Sequence, residues 1–316
     1  MNSKIEKSYS VGALMYSPVK LHTSIVDALK RECFAKPFSL AFCLEDTVSE
    51  DAVEEAENEL YHILSMIREA HEAKPFYLPM IFIRIRSPKQ LEALTKRYAE
   101  FRGILSGFIL PKFFVENCDA YISIMQKEQD YWYMPIFESA SMIDLHTRYR
   151  DLSVVKEKLE AVSDRILNVR VGGNDLSNVF GLRRRADQTI YDMHPVSNLL
   201  VDIVTMFSDR YVVSGPVWEY YAGENWDTGM KREMELDLLN GFIGKTVIHP
   251  NQIEIVNEML KVSAADYEDA KNILNWDDKS AWLVSASAER TRMNEYKTHW
   301  RWARKTVALA ELYGIK

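Results

Sequence analysis

Short apolar runs alternate with longer amphipathic segments along most of the chain. The runs predict buried strands, and the segments with apolar residues every three or four positions predict helices. Predicted helices follow the strands, for example at 50–73, 120–129 and 252–260. The predicted strands are 11–16, 38–44, 78–85, 107–111, 133–137, 166–171, 211–217 and 246–248.

Strict alternation of strands and helices predicts an α/β protein with a parallel sheet. Eight such units within residues 1–261 favour a closed (β/α)₈ TIM barrel. The competing open, doubly wound sheet is disfavoured, because Tyr16-Ser17-Pro18 stands where a glycine-rich phosphate loop would follow the first strand. Residues 262–316 fit no further unit. We predict that they form a C-terminal helical extension, with a helix at 296–312, packed on the barrel or on a neighbouring subunit.

Charge and cysteine content narrow the class of protein. The net charge of −7 argues against a nucleic-acid partner that depends on a positive field. Cys33, Cys43 and Cys118 are far apart and show no CxxC spacing, which is typical of reduced thiols in a cytoplasmic protein. No apolar stretch approaches the ~18 residues of a membrane span, so we expect no membrane partner.

Two acids follow the fifth and sixth predicted strands, Glu138 and Asp175. The carboxyl ends of barrel strands meet at one mouth, where barrel enzymes carry out their chemistry. Two carboxylates, completed by water and substrate oxygens, are a usual way to hold Mg²⁺. No histidine pair has zinc-binding spacing on a predicted helix. The pattern therefore predicts a magnesium site.

Other charged residues end the second, third and fourth strands. Arg84 and Lys112 are candidate substrate-binding cations, and Glu45 and Asp46 add two acids to the same strand ends. Arg84 would clamp a substrate carboxylate through its two-pronged guanidinium. Alternatively, Arg84 and Arg86 pair with Glu45 or Asp46. Residues two apart on a strand share a face, so both arginines are expected to point inward.

Two further features have competing explanations. Gly172 and Gly173 leave room for a ligand to approach the backbone, which makes them candidate substrate-binding positions; the alternative is a simple bend before the loop. Asp46, Ser139 and Asp175 are also good helix N-caps, which is a purely structural role.

The predicted strand ends carry a series of motifs. In order, they are Leu44-Glu45-Asp46-Thr47-Val48, Ile83-Arg84-Ile85, Leu110-Pro111-Lys112, Pro135-Ile136-Phe137-Glu138-Ser139, Gly172-Gly173-Asn174-Asp175-Leu176 with Gly181, and the segment 241–253. Together they resemble the motifs of the HpcH/HpaI aldolase–citrate lyase β-subunit superfamily. Within it the chain looks closer to a divergent branch of C–C bond lyases from bacterial operons linked to tellurium resistance.

The resemblance implies a Mg²⁺-dependent carbon–carbon lyase. It would cleave or form a bond next to a carbonyl in a small carboxylic acid or its acyl-thioester, through an enolate. Glu138 and Asp175 would be the metal ligands, Arg84 would hold the oxo-acid part of the substrate, and Glu45 or Asp46 would move protons. The resemblance also implies coenzyme A as a candidate carrier and a homo-oligomer, either a trimer or a hexamer.

Two alternatives remain at this stage. One is a metal-dependent 2-oxo-acid aldolase with a histidine base, although His249, beside Pro250, is better explained as a residue that fixes a turn. The other is a non-catalytic barrel subunit of a stress-response or biosynthetic complex. This second alternative is motivated by Cys43 and Arg86, which stand where the superfamily often carries Asp and Asn.

Overall fold

The computed structural model describes residues 3–19, 25–277 and 282–316. Eight parallel strands form one sheet in the order β7-β6-β5-β4-β3-β2-β1-β8. This arrangement confirms the predicted TIM barrel. The strands are β1 (Ala13–Pro18), β2 (Ser39–Cys43), β3 (Met80–Arg84), β4 (Leu105–Leu110), β5 (Trp132–Phe137), β6 (Val169–Val171), β7 (Val213–Ser214) and β8 (Lys245–Val247), and beyond the barrel β9 (Val284–Ala286) and β10 (Met293–Glu295).

Helices cover the outside of the barrel, as expected for parallel strands joined by crossovers. Within the described residues, no helix is long and apolar enough to cross a membrane. The helices are α1 (Ser3–Tyr9), α2 (Ile25–Lys30), α3 (Val53–Ala73), α4 (Pro88–Arg97), α5 (Cys118–Lys127), α6 (Arg148–Glu160), α7 (Gly173–Val179), α8 (His194–Phe207), α9 (Trp226–Asn240), α10 (Asn251–Leu260), α11 (Ala264–Leu274) and α12 (Tyr296–Tyr313).

The strands bury both of their faces, in two separate cores. Leu14, Phe82 and Met134 belong to the cluster inside the barrel. Their neighbours Met15 and Ile83 belong to the larger cluster between sheet and helices. Each fully buried apolar side chain contributes about 1.5–3 kcal/mol to folding. The same alternation decides which residues reach the mouth, because the last inward position of each strand points there.

The barrel closes through a weakly paired seam. The predicted strand 211–217 is reduced to Val213–Ser214, since Pro216 has no N–H for a sheet hydrogen bond. Across the gap to β8, Gly215 and Lys245 form an isolated parallel bridge. Backbone pairing alone therefore holds this seam less firmly than the others.

Buried charges reinforce the seam. Lys245 Nζ donates to Glu233 at 2.8 Å and to Asp237 at 2.7 Å. Arg184 Nε lies 3.2 Å from Glu233, and the Tyr191 hydroxyl donates to Asp237 at 2.7 Å. Lys245, Glu233 and Asp237 are almost entirely buried. The network joins β8 to α9 and to the segment between α7 and α8.

The C-terminal segment packs against the barrel. The predicted helix at 296–312 is α12, which contacts α1, α10 and α11. The Tyr313 hydroxyl donates to the Tyr9 carbonyl at 2.8 Å, and Val262 bridges to Ile315. Helix α11 and the β9–β10 hairpin were not predicted from the sequence. The division at residue 261 into barrel and extension remains a proposal.

Candidate active site

A cavity of about 180 Å³ opens at the carboxyl ends of the strands. Residues from most of the barrel strands and the loops that follow them surround it. Its walls combine acids, two arginines and a few apolar groups. The lining residues are Tyr16, Asp46, Arg84, Ile136, Glu138, Arg170, Val171, Gly172, Gly173, Asn174, Asp175, Val217, Thr246 and Ile248.

Arg84 is the centre of an ion-pair cluster in this mouth. Its guanidinium lies 2.9 Å from Glu45, 2.9 Å from Asp46 and 3.1 Å from Glu138. It also lies 5.8 Å from the centre of the Tyr16 ring. Burial works against the charge of Arg84, but the surrounding acidic groups raise its pKa overall. Arg84 therefore forms the ion pairs expected with Glu45 and Asp46. Its position in the mouth is also compatible with binding a substrate carboxylate.

Glu138 is the most deeply buried acid of the site. Its side chain is 2% exposed and accepts a hydrogen bond from the Lys112 N–H at 3.1 Å. Burial raises the pKa of Glu138 to about 8, and the charge of Arg84 opposes this shift. Such a carboxyl binds a cation strongly once it has lost its proton.

Lys112 joins the other acids of the mouth. Its Nζ donates to Glu45 at 2.7 Å and lies 3.7 Å from Asp46 and 4.0 Å from Asp175. Burial raises the pKa of Glu45. For Asp46 burial acts in the same direction, but the hydrogen bond with Glu45 and the nearby cations lower its pKa overall. The neighbouring acids Glu45 and Asp46 thus have opposite tendencies to hold a proton, a property suited to acid–base work.

The donor set fits a hard divalent cation. Glu138 and Asp175 face the same cavity, and the charge of Asp175 contributes to the raised pKa of Glu138. Within 3–19, 25–277 and 282–316, no group of three or more His, Cys, Asp or Glu side chains is arranged to hold a metal. Two carboxylates completed by water and substrate oxygens match the needs of Mg²⁺.

Gly172 and Gly173 make room for neighbouring side chains of the protein. A Cβ added at Gly172 would lie 2.8 Å from Glu138 Cδ and still closer to its Oε2 and Cβ. One added at Gly173 would lie 2.6 Å from Ile190 Cδ1 and 2.7 Å from Pro216 Cβ. The free space is therefore taken by protein side chains, although both glycines also line the cavity.

Arg86 does not point into the mouth, and the expectation that it shares a face with Arg84 is wrong. Strand β3 ends at Arg84, so strand alternation no longer applies. Arg86 Nη1 instead donates to the carbonyls of Leu44, Glu45 and Val48 at 2.8–3.1 Å. It holds the loop that carries the mouth acids.

The N-cap explanations are not borne out by side-chain bonds. Ser139 precedes the 3₁₀ turn Ala140–Ile143 without a capping bond and donates to the Lys112 carbonyl. Asp175 lies within the first turn of α7, after its N-cap residue. His249 stacks on Tyr221, with ring centres 4.7 Å apart, and its Nδ1 accepts from the Asn251 N–H, in line with the structural role expected for it.

Sequence reasoning missed several cavity residues, among them Tyr16 and Arg170. Arg170 takes the one inward position of β6, whereas Tyr16 is followed by Pro18 on the same face of β1. Burial raises the pKa of Tyr16 to about 12. Arg170 stands between Val169 and Val171, so a charge within an apolar alternation was the available signal.

Comparison with known proteins identifies the family. The family described as C-C bond lyase of the TIM-barrel fold matches residues 5–315. The chain belongs to this family. No curated protein matches the chain.

Solved structures of citrate-lyase-like proteins share the fold at low identity. CitE from Mycobacterium tuberculosis, in complex with magnesium, acetoacetate and coenzyme A, is 17% identical with a TM-score of 0.62, covering 95% of this chain and 98% of that one. A citrate lyase from Burkholderia xenovorans is 12% identical with a TM-score of 0.69, covering 97% and 93%. RipC from Yersinia pestis is 16% identical with a TM-score of 0.56, covering 82% and 99%. At such identities the likeness extends to the fold alone.

Proposed function

We propose that this C–C bond lyase is Mg²⁺-dependent and acts on a small carboxylic acid or its acyl-thioester through an enolate. The observation that carries the proposal is that Glu138, Asp175 and Arg84 line one cavity of about 180 Å³. Two carboxylates able to hold a cation, beside a guanidinium, are what an enolate-forming cleavage needs. A CitE structure of similar fold in complex with magnesium, acetoacetate and coenzyme A supports, by analogy, a magnesium ion and a small acid as ligands.

The chain's own residues take distinct roles in this proposal. Glu138 and Asp175 hold the cation, which supplies positive charge to the substrate carbonyl when bound. Arg84 stabilises the oxyanion that develops as the C–C bond breaks. Glu45, whose pKa burial raises, and its partner Asp46 exchange the proton with the substrate hydroxyl or α-carbon. Lys112 keeps Glu45 in place through its 2.7 Å contact.

Metal binding provides the direct test. Glu138→Gln and Asp175→Asn are each expected to weaken Mg²⁺ binding at least tenfold in calorimetry, because each removes a ligand charge. Asp130→Asn is the matched control, since Asp130 is an exposed acid that pairs with Arg102. Unchanged Mg²⁺ affinity in both mouth variants would refute the proposed site.

Turnover separates the candidate activities. A screen of oxo acids and acyl-thioesters with Mg²⁺ is expected to yield a cleaved product with the intact enzyme. Protection against heating by coenzyme A esters, without protection by pyruvate or oxaloacetate, would remove the aldolase alternative. Absence of any product across the screen would favour the non-catalytic subunit.

The compartment, the oligomeric state and the carrier of the enzyme are also proposed. The three cysteines are free thiols, which suits a cytoplasmic protein. A trimer or hexamer, coenzyme A as carrier and the link to tellurium-resistance operons come from the resemblance alone. Light scattering of the purified protein tests the oligomer.

A further inference from the structure

Arg170 is a buried cation whose contacts are all uncharged. It lies on β6 and is 1% exposed, yet it lines the mouth cavity. Its Nη2 donates to Thr246 Oγ1 at 2.7 Å and its Nη1 to Asn168 Oδ1 at 3.5 Å. Its Nε has no hydrogen-bond partner among the described residues. Tyr16 is a further hydrogen-bonding neighbour of the guanidinium, so the described side chains engage only part of its five N–H donors.

Arg170 and Arg84 differ in their ion pairs. Arg84 pairs with the carboxylates of Glu45, Asp46 and Glu138, whereas no ion pair of Arg170 occurs within the part of the chain that the structure describes. A buried charge without a counter-ion is costly, and an apolar side chain in its place would be tolerated better. Packing of the barrel interior therefore gives no reason for a guanidinium at this position, but an anionic ligand does.

The position of Arg170 defines where that anion binds. Val169 and Val171 pack outward against the helices, so the side chain between them points into the barrel. Ile136 of the neighbouring strand and Tyr16 lie beside it in the cavity wall. Arg170 pairs with Ile136, two residues before Glu138, so it lies one inward position deeper in the barrel than that acid. A ligand that fills the cavity therefore meets the acids near the strand ends and Arg170 below them.

The size of the cavity suits a small ligand. Its volume of about 180 Å³ is many times the ~10–15 Å³ that one water molecule needs. An acid of a few carbon atoms that fills it reaches Arg170 as well as Glu138 and Asp175, because all three line the cavity.

We propose that Arg170 binds a second carboxylate of the substrate, so that the enzyme takes small dicarboxylates rather than monocarboxylates. The assignment of this anion as substrate rests on the proposed function, but the anion site itself does not. Arg170 would fix the orientation of the diacid by a two-pronged contact. A neutral thioester beside Arg170 would leave the guanidinium unpaired.

Malonate and acetate, which differ by one carboxylate, are suitable unreactive probes. Their affinities are measured by NMR titration of the full chain, with Mg²⁺ and again in EDTA. Wild-type protein is expected to bind malonate about 10- to 100-fold more tightly than acetate, as a charge-assisted hydrogen bond provides. Arg170→Met is expected to bring this ratio close to one, and Arg170→Lys to give an intermediate ratio.

Arg148→Met is the matched control. Arg148 is also a buried arginine, but it pairs with Asp202 at 2.9 Å, away from the mouth. This variant is expected to keep the malonate preference even if it unfolds at a lower temperature. If Arg170→Met is not folded, Arg170→Gln, which keeps hydrogen-bond donors without the charge, replaces it.

Two results would overturn the proposal: an unchanged malonate preference in the Arg170 variants, or an equal loss of affinity for both probes. Failure of the proposed lyase function is detected separately. Unchanged Mg²⁺ affinity in Glu138→Gln and Asp175→Asn refutes the metal site, while the malonate preference in EDTA still reports on Arg170.

Discussion

Gly172 and Glu138 occupy adjoining space so closely that no side chain fits at Gly172. A Cβ there would overlap the Oε2 and Cβ atoms of Glu138 and lie 2.8 Å from its Cδ. The buried carboxylate of Glu138 thus occupies the space that a side chain at residue 172 would fill. It also accepts a hydrogen bond from the Lys112 N–H. The orientation of the proposed metal ligand depends on both contacts.

A methyl group at Gly172 should therefore disturb the site. Gly172→Ala is expected to weaken Mg²⁺ binding at least tenfold and to lower the free energy of unfolding by about 1–3 kcal/mol, because Glu138 must move. Gly103→Ala is the control, since nothing lies within 4 Å of the added Cβ. Calorimetry and thermal unfolding measure the two effects. Metal affinity equal to that of wild type would show that Glu138 needs no such fit.

The charge network at the barrel seam predicts a large stability effect. Lys245→Met leaves the buried carboxylate of Asp237 without its cation, so we expect a loss of about 3–5 kcal/mol in the free energy of unfolding. Lys231→Met removes an exposed partner of Asp227. It should change the free energy of unfolding by less than about 0.5 kcal/mol. Urea unfolding measures both. A similar loss in the two variants would contradict the importance of the buried pair.

Arg86 predicts a local effect on the loop behind the mouth acids. Arg86→Ala removes the donor to three loop carbonyls, which should cost about 1–3 kcal/mol. Hydrogen exchange is expected to quicken in residues 44–50, and turnover should fall because Glu45 and Asp46 belong to this loop. Arg102→Ala, which removes an exposed ion pair, should leave the exchange there unchanged. Unaltered exchange after Arg86→Ala would mean that the loop is held by other contacts.

Asp269 predicts a pH dependence in the C-terminal segment. Burial works to raise its pKa, but hydrogen bonds from the Ala288 N–H and from Arg292 lower it below its ordinary value of 3.8. A lowered pKa means that the folded state is stabilised when the pH is above 3.8. This stabilisation is lost as the pH falls through the lowered folded-state pKa.

Asp269→Asn is therefore expected to lower the free energy of unfolding at pH 7 by about 1–3 kcal/mol. The difference from wild type should shrink once the pH falls below 3.8. Asp119→Asn serves as the control, because Asp119 is an exposed acid paired with Lys158. A difference that stays constant from pH 7 to pH 3 would exclude the proposed linkage.

Most of the barrel was predictable because its strands are continuous apolar runs between polar turns. The exceptions have local causes. Strand β7 stops early because Pro216 cannot extend the ladder. Helix α11 was not predicted, because its buried residues are few and include the charged Asp269. Short apolar runs predict where strands lie, but the residue at which a strand ends can depend on a single side chain.

Several members of the mouth were predictable, but their pairings were not. Glu45, Arg84 and Glu138 each end a strand, and the barrel brings strand ends together. Which acids Arg84 contacts depends on side-chain packing across the barrel, which no local pattern encodes. Arg170 was overlooked because its neighbours made the segment read as an ordinary buried strand. The role proposed for Arg170 rests instead on its lack of an ion pair among the described residues.

The pairing of β8 with β1 also has a consequence for how the chain folds. The Lys245 N–H donates to the carbonyl of Gly12, so this pairing joins the two ends of the barrel sequence. Contacts so distant along the chain form late, because a long loop must first be ordered. We therefore expect the docking of β8 onto β1 to be a late step of refolding.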